Sequence, residues 1–355
     1  MIIVRLRGRW REEILATNWR WLLLPAWLIF RPLVWLRNLS FNLGWRTPQR
    51  LSVPVWSVGN LTAGGTGKTP LTRYLARWAI AHGLQPAIIS RGYRAENAEA
   101  NDEARTVSEC PVICNPDRVA AGRLAIANGA TCLIMDDGFQ HRRLHRDLDV
   151  VLIDATRPWG VVGGLPGATL PLGYLRENPN ALHRANILVL TRSALIEPQL
   201  LIQLHQEAHR FRKPVIHVED QKAALHSLIA GHPPTDIAEL NGRVVILVSG
   251  LGNPLGFERT AMRYGWQVIA SLRFPDHHHY DARDIAVILA TANQHQALVV
   301  ITGKDAVKIQ QLISATDAAR FRLLEIHGEI SSADQELIER MLIATLPVKA
   351  ASPLK

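Results

Sequence analysis

Thr62-Ala63-Gly64-Gly65-Thr66-Gly67-Lys68-Thr69 follows a short apolar run, Val53 to Val58, and opens an amphipathic stretch from Leu71 to Ala81. Strand, glycine-rich turn and helix in that order are the setting of a phosphate-binding loop, and they decide the fold class. Gly64, Gly65 and Gly67 lack a Cβ, so the backbone can take positive φ there and aim successive N–H groups at phosphate oxygens. A helix beginning near Lys68 adds the positive end of its dipole. Lys68 then reaches the β and γ phosphates as a mobile charge, and the Thr69 hydroxyl suits Mg²⁺. Thr62 stands where the strict G-x-x-x-x-G-K-[ST] pattern has Gly, so the loop is a variant. Residues 62–69 read as a nucleoside triphosphate site; the alternative is a glycine-rich turn without ligand.

Working outward, apolar runs at Ala87–Ser90, Cys132–Met135, Val150–Ile153, Ile187–Leu190, Val244–Val248, Val268–Leu272 and Leu298–Ile301 predict further strands, with helical patterns between several of them. Such alternation predicts an α/β fold, a mostly parallel sheet covered by helices. Val215–Val218 reads as a linking strand. Pro233-Pro234 and Asn241-Gly242 nearby suggest a boundary. The expected organisation is an N-terminal membrane-associated helical segment over 1–45, a nucleotide-binding domain over 46–215 and a smaller α/β lobe over 216–355.

At 355 residues, with 48% hydrophobic and 20% charged side chains, the chain is long and apolar enough for a large globular core. Its formal charge of +9 suits nucleic acid, an anionic membrane or a phosphorylated substrate equally well. Cys110, Cys114 and Cys132 show neither a metal-ligand spacing nor an even disulfide count, which points to a reducing cytoplasm. Trp19 to Leu36 is densely apolar and tryptophan-rich, with Arg5, Arg7, Arg9, Arg11 and Arg20 ahead of it or within it. A spanning helix wants about 20 uninterrupted apolar residues. Pro25, Arg31 and Pro32 interrupt this one, so the expectation is a segment lying in the interface with arginines on lipid headgroups. A buried core helix is the alternative.

Cys132-Leu133-Ile134-Met135 runs into Asp136-Asp137-Gly138, and an apolar strand ending in carboxylates beside a phosphate loop holds Mg²⁺ or its waters. Either Asp136 or Asp137 fits that role. Gln140-His141-Arg142-Arg143-Leu144-His145-Arg146 follows, a run that either neutralises an anionic substrate or forms a solvated basic face.

Ser57-Val58-Gly59-Asn60-Leu61-Thr62, Ser90-Arg91-Gly92-Tyr93, Asp136-Asp137-Gly138-Phe139-Gln140-His141-Arg142 and Leu175-Arg176-Glu177 together resemble the tetraacyldisaccharide 4'-kinases, which phosphorylate the lipid A precursor. Ser249-Gly250-Leu251-Gly252-Asn253-Pro254, Phe274-Pro275-Asp276-His277-His278 and Thr302-Gly303-Lys304-Asp305-Ala306-Val307-Lys308 extend the resemblance, in order, through the C-terminal half. The resemblance implies γ-phosphate transfer from ATP, with Mg²⁺, to the 4'-hydroxyl of a tetraacyldisaccharide 1-phosphate. It implies an inner-membrane enzyme acting at the cytoplasmic face on a lipid substrate, with no nucleic-acid partner. By the same resemblance Thr62, Ala63, Gly64, Gly65, Thr66, Gly67, Lys68 and Thr69 bind ATP. Thr69, Asp136, Asp137 and Glu103 serve the metal side. Arg91, Tyr93, Gln140, His141, Arg142, Arg176 and Glu177 face substrate. Asp102, in Asn101-Asp102-Glu103-Ala104, is the nearest counterpart of the family's catalytic carboxylate, with His277 as its partner. Asp102 lacks the family's flanking Gly and Pro, and the segment between Tyr93 and Asp102 is short. Two other classes stand beside this one: a membrane-associated P-loop ATPase, and a non-catalytic nucleotide-binding homologue.

Overall fold

The computed structural model describes residues 2–5, 15, 17–92, 110–160, 167–229, 231–276 and 278–347. In chain order its elements begin with β1 (Ile2–Arg5), α1 (Leu24–Asn42), β2 (Val55–Asn60), α2 (Lys68–Ala81), β3 (Pro86–Ser90) and β4 (Val112–Cys114). Next come α3 (Arg118–Ala127), β5 (Cys132–Asp136), β6 (Leu148–Asp154), β7 (Ile187–Thr191), α4 (Pro198–His209), β8 (Val215–Ser227) and β9 (Thr235–Asp236). The remainder is β10 (Val244–Ser249), α5 (Pro254–Arg263), β11 (Gln267–Arg273), α6 (Ala282–Gln294), β12 (Leu298–Thr302), α7 (Gly303–Ile309), α8 (Ala315–Ala318), β13 (Phe321–Ile330) and α9 (Ser332–Thr345). Two compact units share these elements. One takes the described residues of 18–193, 198–218 and 330–347, and the other those of 2–17, 194–197 and 219–329.

In the first unit the strands run parallel in the order β8, β7, β6, β2, β5, β3, β4. Strands β2, β5, β6 and β7 are buried at every position, as a sheet covered on both faces requires. One face packs Leu71, Leu75 and Trp78 of α2 and Ile338 and Leu342 of α9 against Trp56, Ile134, Val150 and Val189. The Trp56 indole N–H donates to Thr345 Oγ1 at 2.8 Å, so the buried ring keeps its polar atom satisfied. The other face packs Val119, Ala121 and Ala125 of α3 against Val55, Ile89, Leu133 and Met135.

Helix α1 has no buried residue, and the 25-residue stretch Asn18–Asn42, with an 18-residue window of mean hydropathy 1.2, is long and apolar enough to cross a membrane by length and composition. The sequence suggests interruption at Pro25, Arg31 and Pro32, yet the helix continues through Pro32 to Asn42. Pro25 falls in the first turn, where its missing N–H had no intrahelical partner anyway. Trp19, Trp21, Leu22, Leu28, Ile29, Leu33, Trp35 and Leu36 are all exposed. Polar contacts tie this helix to its own unit, among them Trp27 Nε1 to Thr169 Oγ1 at 2.8 Å, Asn38 Nδ2 to Glu177 Oε2 at 2.8 Å, and Arg142 Nη1 to the Asn38 carbonyl at 3.0 Å.

The second unit carries the parallel order β1, β11, β10, β12, β13. Ile285 and Ile288 of α6 and Ile309 of α7 cover one face, and Phe257 and Ala261 of α5 the other. Ile2–Arg5, read from sequence as part of a helical segment, is a strand in register with Ala270–Arg273 at the sheet edge. Strand β8 continues past Val218 to Ser227, and its later part pairs antiparallel with β9.

Gly59, one residue from the end of β2, is required by close approach. A Cβ there would lie 2.5 Å from Phe139 Cβ and 2.8 Å from the Phe139 backbone nitrogen. Gly59→Ala is expected to lower the unfolding free energy by about 2 kcal/mol through overpacking. Denaturant titration of the two proteins checks it; an unchanged midpoint would show that the Phe139 segment moves aside at little cost.

Candidate active site

Strand β2 runs in parallel register with β5, Val58 opposite Asp136, so the 62–69 loop and the Asp136-Asp137 pair leave the sheet at the same edge. Gly64 and Gly67 take φ of +114° and +82°, the left-handed conformations that the glycines make accessible. Gly67 is the N-cap of α2, and no side chain caps that helix. At α3, by contrast, Asp117 accepts from the N–H groups of Val119 and Ala120. The first amides of α2 therefore stay available to an external anion. A Cβ built on Gly65 would meet nothing within 4 Å, so the space at the loop's turn is open.

Asp137 is the charged centre of this edge. Lys68 Nζ lies 3.4 Å from its Oδ1, and Arg176 Nη1 lies 2.5 Å from its Oδ2. Arg176 also reaches Gln140 Oε1 at 3.3 Å, and Gln140 Nε2 donates to the Asn60 carbonyl at 2.9 Å. Burial acts to raise the Asp137 pKa, but the charges and hydrogen bonds of Lys68 and Arg176 outweigh it and hold the carboxyl well below the usual range. Asp137 adopts φ of +52°, a conformation costly for a non-glycine residue and characteristic of functional turns. Gly138 follows because a Cβ there would lie 2.6 Å from Ser57 Oγ. Asp136 is buried at the end of β5, and its carbonyl accepts from Arg118 at 3.2 Å. Backbone bonds from Ala63 N–H to the Tyr174 carbonyl (2.8 Å) and from Arg176 N–H to the Leu61 carbonyl (2.7 Å) lace the loop to the 174–176 segment.

The remaining sequence-derived candidates divide. Glu177 is 1% exposed and faces inward, accepting from Asn38 Nδ2 and Arg184 Nη2 with Arg37 at 3.7 Å. Arg142 packs over Phe41. Arg91 is exposed just beyond β3. Arg146 is neither solvated nor presented to an external anion, because its Nε makes two 2.9 Å bonds to Asp149 inside the protein. Tyr93, Asp102, Glu103 and His277 lie outside the described residues. In the second unit His278, next to His277, belongs to a packed loop: its Nε2 is 2.8 Å from Asp284 and its ring stacks on Phe274. Thr191 and Arg192 around the loop, and Asn38 beneath Glu177, escape sequence reading because no motif spans them, and Asn60, although inside the Ser57–Thr62 segment, carries no sequence signal for its role.

With this geometry in view, the family model for tetraacyldisaccharide-1-P 4'-kinase, LpxK, matches residues 19–346. The chain belongs to the tetraacyldisaccharide 4'-kinase family. A tetraacyldisaccharide 4'-kinase of Syntrophus aciditrophicus is 35% identical over 346 residues, 89% of this chain and 91% of that protein. One of Anaeromyxobacter dehalogenans is 36% identical, over 87% of this chain and 86% of that protein. The crystal structure of an "apo" form of LpxK from Aquifex aeolicus in complex with ATP is similar, with TM-score 0.67 and 26% identity, covering 92% of this chain and 99% of that one. Family membership makes the chain an ATP-dependent kinase of lipid A biosynthesis.

His141 reports on the electrostatics of this face. Burial, reinforced by the cations of Arg118, Arg146 and Arg143, pushes its imidazole down to about 4. An exposed histidine titrates near 6.5. A depressed folded pKa means that the neutral ring stabilises the fold above pH ~6.5, and that this contribution is lost as pH falls toward the folded value. His141→Gln is expected to flatten that part of the acid-side loss. Unfolding midpoints measured from pH 7 down to pH ~4.5 check it, and identical slopes for both proteins would contradict it.

Proposed function

We propose that residues 62–69 hold the triphosphate of ATP, with Lys68 on the β and γ phosphates and the acceptor sugar approaching the Asp137–Arg176 side. The observation that supports this reading is the convergence of Lys68 and Arg176 on Asp137 beside an uncapped helix N-terminus. Lys68 and Arg176 then have two states: paired with the carboxylate, or turned to phosphate oxygens when nucleotide arrives. The exchange keeps each cation paired, so little charge is stranded in either state.

Mg²⁺ fits the donor set. Thr69 supplies a hydroxyl, and Asp136 and Asp137 supply carboxylates, hard oxygens of the kind this ion takes. Among the described residues no cluster of three or more His, Cys, Asp or Glu side chains is gathered for a metal, which suits an ion that shares its coordination with phosphates and water. When bound, the ion neutralises charge building on the phosphoryl oxygens. In the transfer, the bond from the sugar 4'-oxygen to the γ phosphorus forms and the bond to the ADP oxygen breaks. The hydroxyl proton passes to a carboxylate, for which Asp102 is our candidate, oriented by His277. Glu103 joins the metal side. Arg91, Tyr93, Gln140, His141 and Arg142 serve the substrate, and Glu177 acts from beneath by fixing the segment that carries Arg176.

The tetraacylated substrate leaves a bilayer only at about 0.8 kcal/mol for each CH₂ exposed to water. An enzyme acting on its head group therefore works at the surface, and the exposed Trp and Leu residues of 18–42 are suited to hold it there. Since ATP is cytoplasmic, the reading places the enzyme on the cytoplasmic face of the inner membrane.

Incubating the purified chain in detergent with [γ-³²P]ATP, Mg²⁺ and tetraacyldisaccharide 1-phosphate tests the assignment. Lys68→Ala and Asp102→Ala are each expected to reduce lipid labelling by at least about a hundredfold. Parental turnover by the Asp102 variant would move the base elsewhere. Separately, replacing Trp21, Leu22, Trp35 and Leu36 by serine should abolish sedimentation with anionic vesicles while sparing ATP affinity. Retained sedimentation would assign membrane attachment to another surface.

A further inference from the structure

Three side chains grip the carbonyl side of the phosphate loop from the ends of two buried strands. Arg192, immediately after β7, adopts φ of +58°, and its Nη1 donates to the Gly65 carbonyl at 3.1 Å. The same guanidinium pairs with Asp154, which is 3% exposed at the end of β6. Asp154 Oδ1 in turn accepts from the Thr156 N–H at 3.0 Å and from Thr156 Oγ1 at 2.6 Å, so the pair is anchored on a fixed turn. Thr191, the last residue of β7, donates its hydroxyl to the Thr66 carbonyl at 3.1 Å. Asn60, fully buried at the end of β2, donates from Nδ2 to the Thr62 carbonyl at 2.8 Å and to Thr66 Oγ1 at 2.9 Å.

A peptide unit is planar, with its C=O and the following N–H on opposite sides. Pinning the carbonyls of Gly65 and Thr66 toward the sheet therefore turns the N–H groups of Thr66 and Gly67 the other way. We infer that Arg192 and Thr191, with Asn60, are positioning residues for ATP: they preset the amide orientation of the loop before the triphosphate arrives. Arg192 reaches the loop by way of a left-handed conformation that costs about 1 kcal/mol for a residue with a Cβ. Such strain persists where the surroundings over-determine it. Here the surroundings are one carboxylate and one loop carbonyl, both on the guanidinium. Both bonds leave Nη1, whose N–H groups are fixed in the rigid guanidinium plane, whereas a lysine ammonium is a point charge on a flexible stem with no such fixed geometry.

The inference rests on the reading that residues 62–69 bind ATP, and its test separates the two. Arg192→Asn removes the guanidinium and keeps a residue that tolerates positive φ. In the full chain, in detergent with Mg²⁺, it is expected to raise both the ATP dissociation constant and KM for ATP by about tenfold or more, as loss of a charged hydrogen bond implies. The KM for the tetraacyldisaccharide phosphate should stay within about twofold, and Arg192→Lys should recover part of the ATP affinity. Thr191→Val, which removes one hydroxyl at nearly constant volume, is expected to weaken ATP by about threefold and keeps the test usable if the Asn variant fails to fold. Unchanged ATP affinity in both variants, or an equal loss for ATP and lipid, overturns the inference. If Lys68→Ala also leaves ATP affinity intact, the nucleotide is held elsewhere and the underlying reading falls instead.

Discussion

Parallel pairing of β2 with β5 and β6 is the constraint on which the rest of the site depends. Val58 lies opposite Asp136 on one side and Val150 on the other, and β7 continues the same direction. Parallel strands end together, so a mostly apolar sheet delivers the polar residues at its strand ends to one edge. Asn60, Asp136, Asp154 and Thr191 are each the last residue of such a strand and each is buried. The 62–69 loop is thus set among these strand ends.

Charges at that edge are paired on both sides of the loop. Asp137 is shared by Lys68 and Arg176, and Arg192 pairs with Asp154 behind the loop. Front and back differ in what they can give up. The Lys68–Asp137 contact, at 3.4 Å between partly exposed groups, is the one that the proposed nucleotide and metal would replace. The Arg192–Asp154 pair holds a nearly buried carboxylate, and breaking it would leave that charge uncompensated.

The apolar helix is coupled to the same machinery through Glu177. Asn38 on α1 and Arg184 both donate to this carboxylate, while the adjacent Arg176 holds Asp137. Trp27 adds a second tie, to Thr169 on the same segment. The exposed apolar surface of α1 and the Arg176 side chain that pairs with Asp137 are therefore a few hydrogen bonds apart, an economical arrangement for the proposed chemistry on a lipid head group.

Much of this was legible in the sequence, because it is encoded locally. The 62–69 loop, the buried runs of β2, β5, β6, β7, β10, β11 and β12, the Asp136-Asp137-Gly138 turn and the apolar stretch near Trp19 to Leu36 each carry their own composition and spacing. Asp102, Glu103, Tyr93 and His277 were accessible only through family resemblance, since a lone carboxylate or imidazole has no period. What tertiary structure alone decided are the roles made by distant partners. Glu177 faces inward to a helix 139 positions earlier, Arg192 holds a carbonyl 127 positions earlier, Arg146 is spent on Asp149, and Ile2–Arg5 pairs with a strand near residue 270. Local sequence sets which residues prefer strand, turn or helix. Which polar group meets which is set by the order and direction in which the strands assemble, and that is a property of the whole chain.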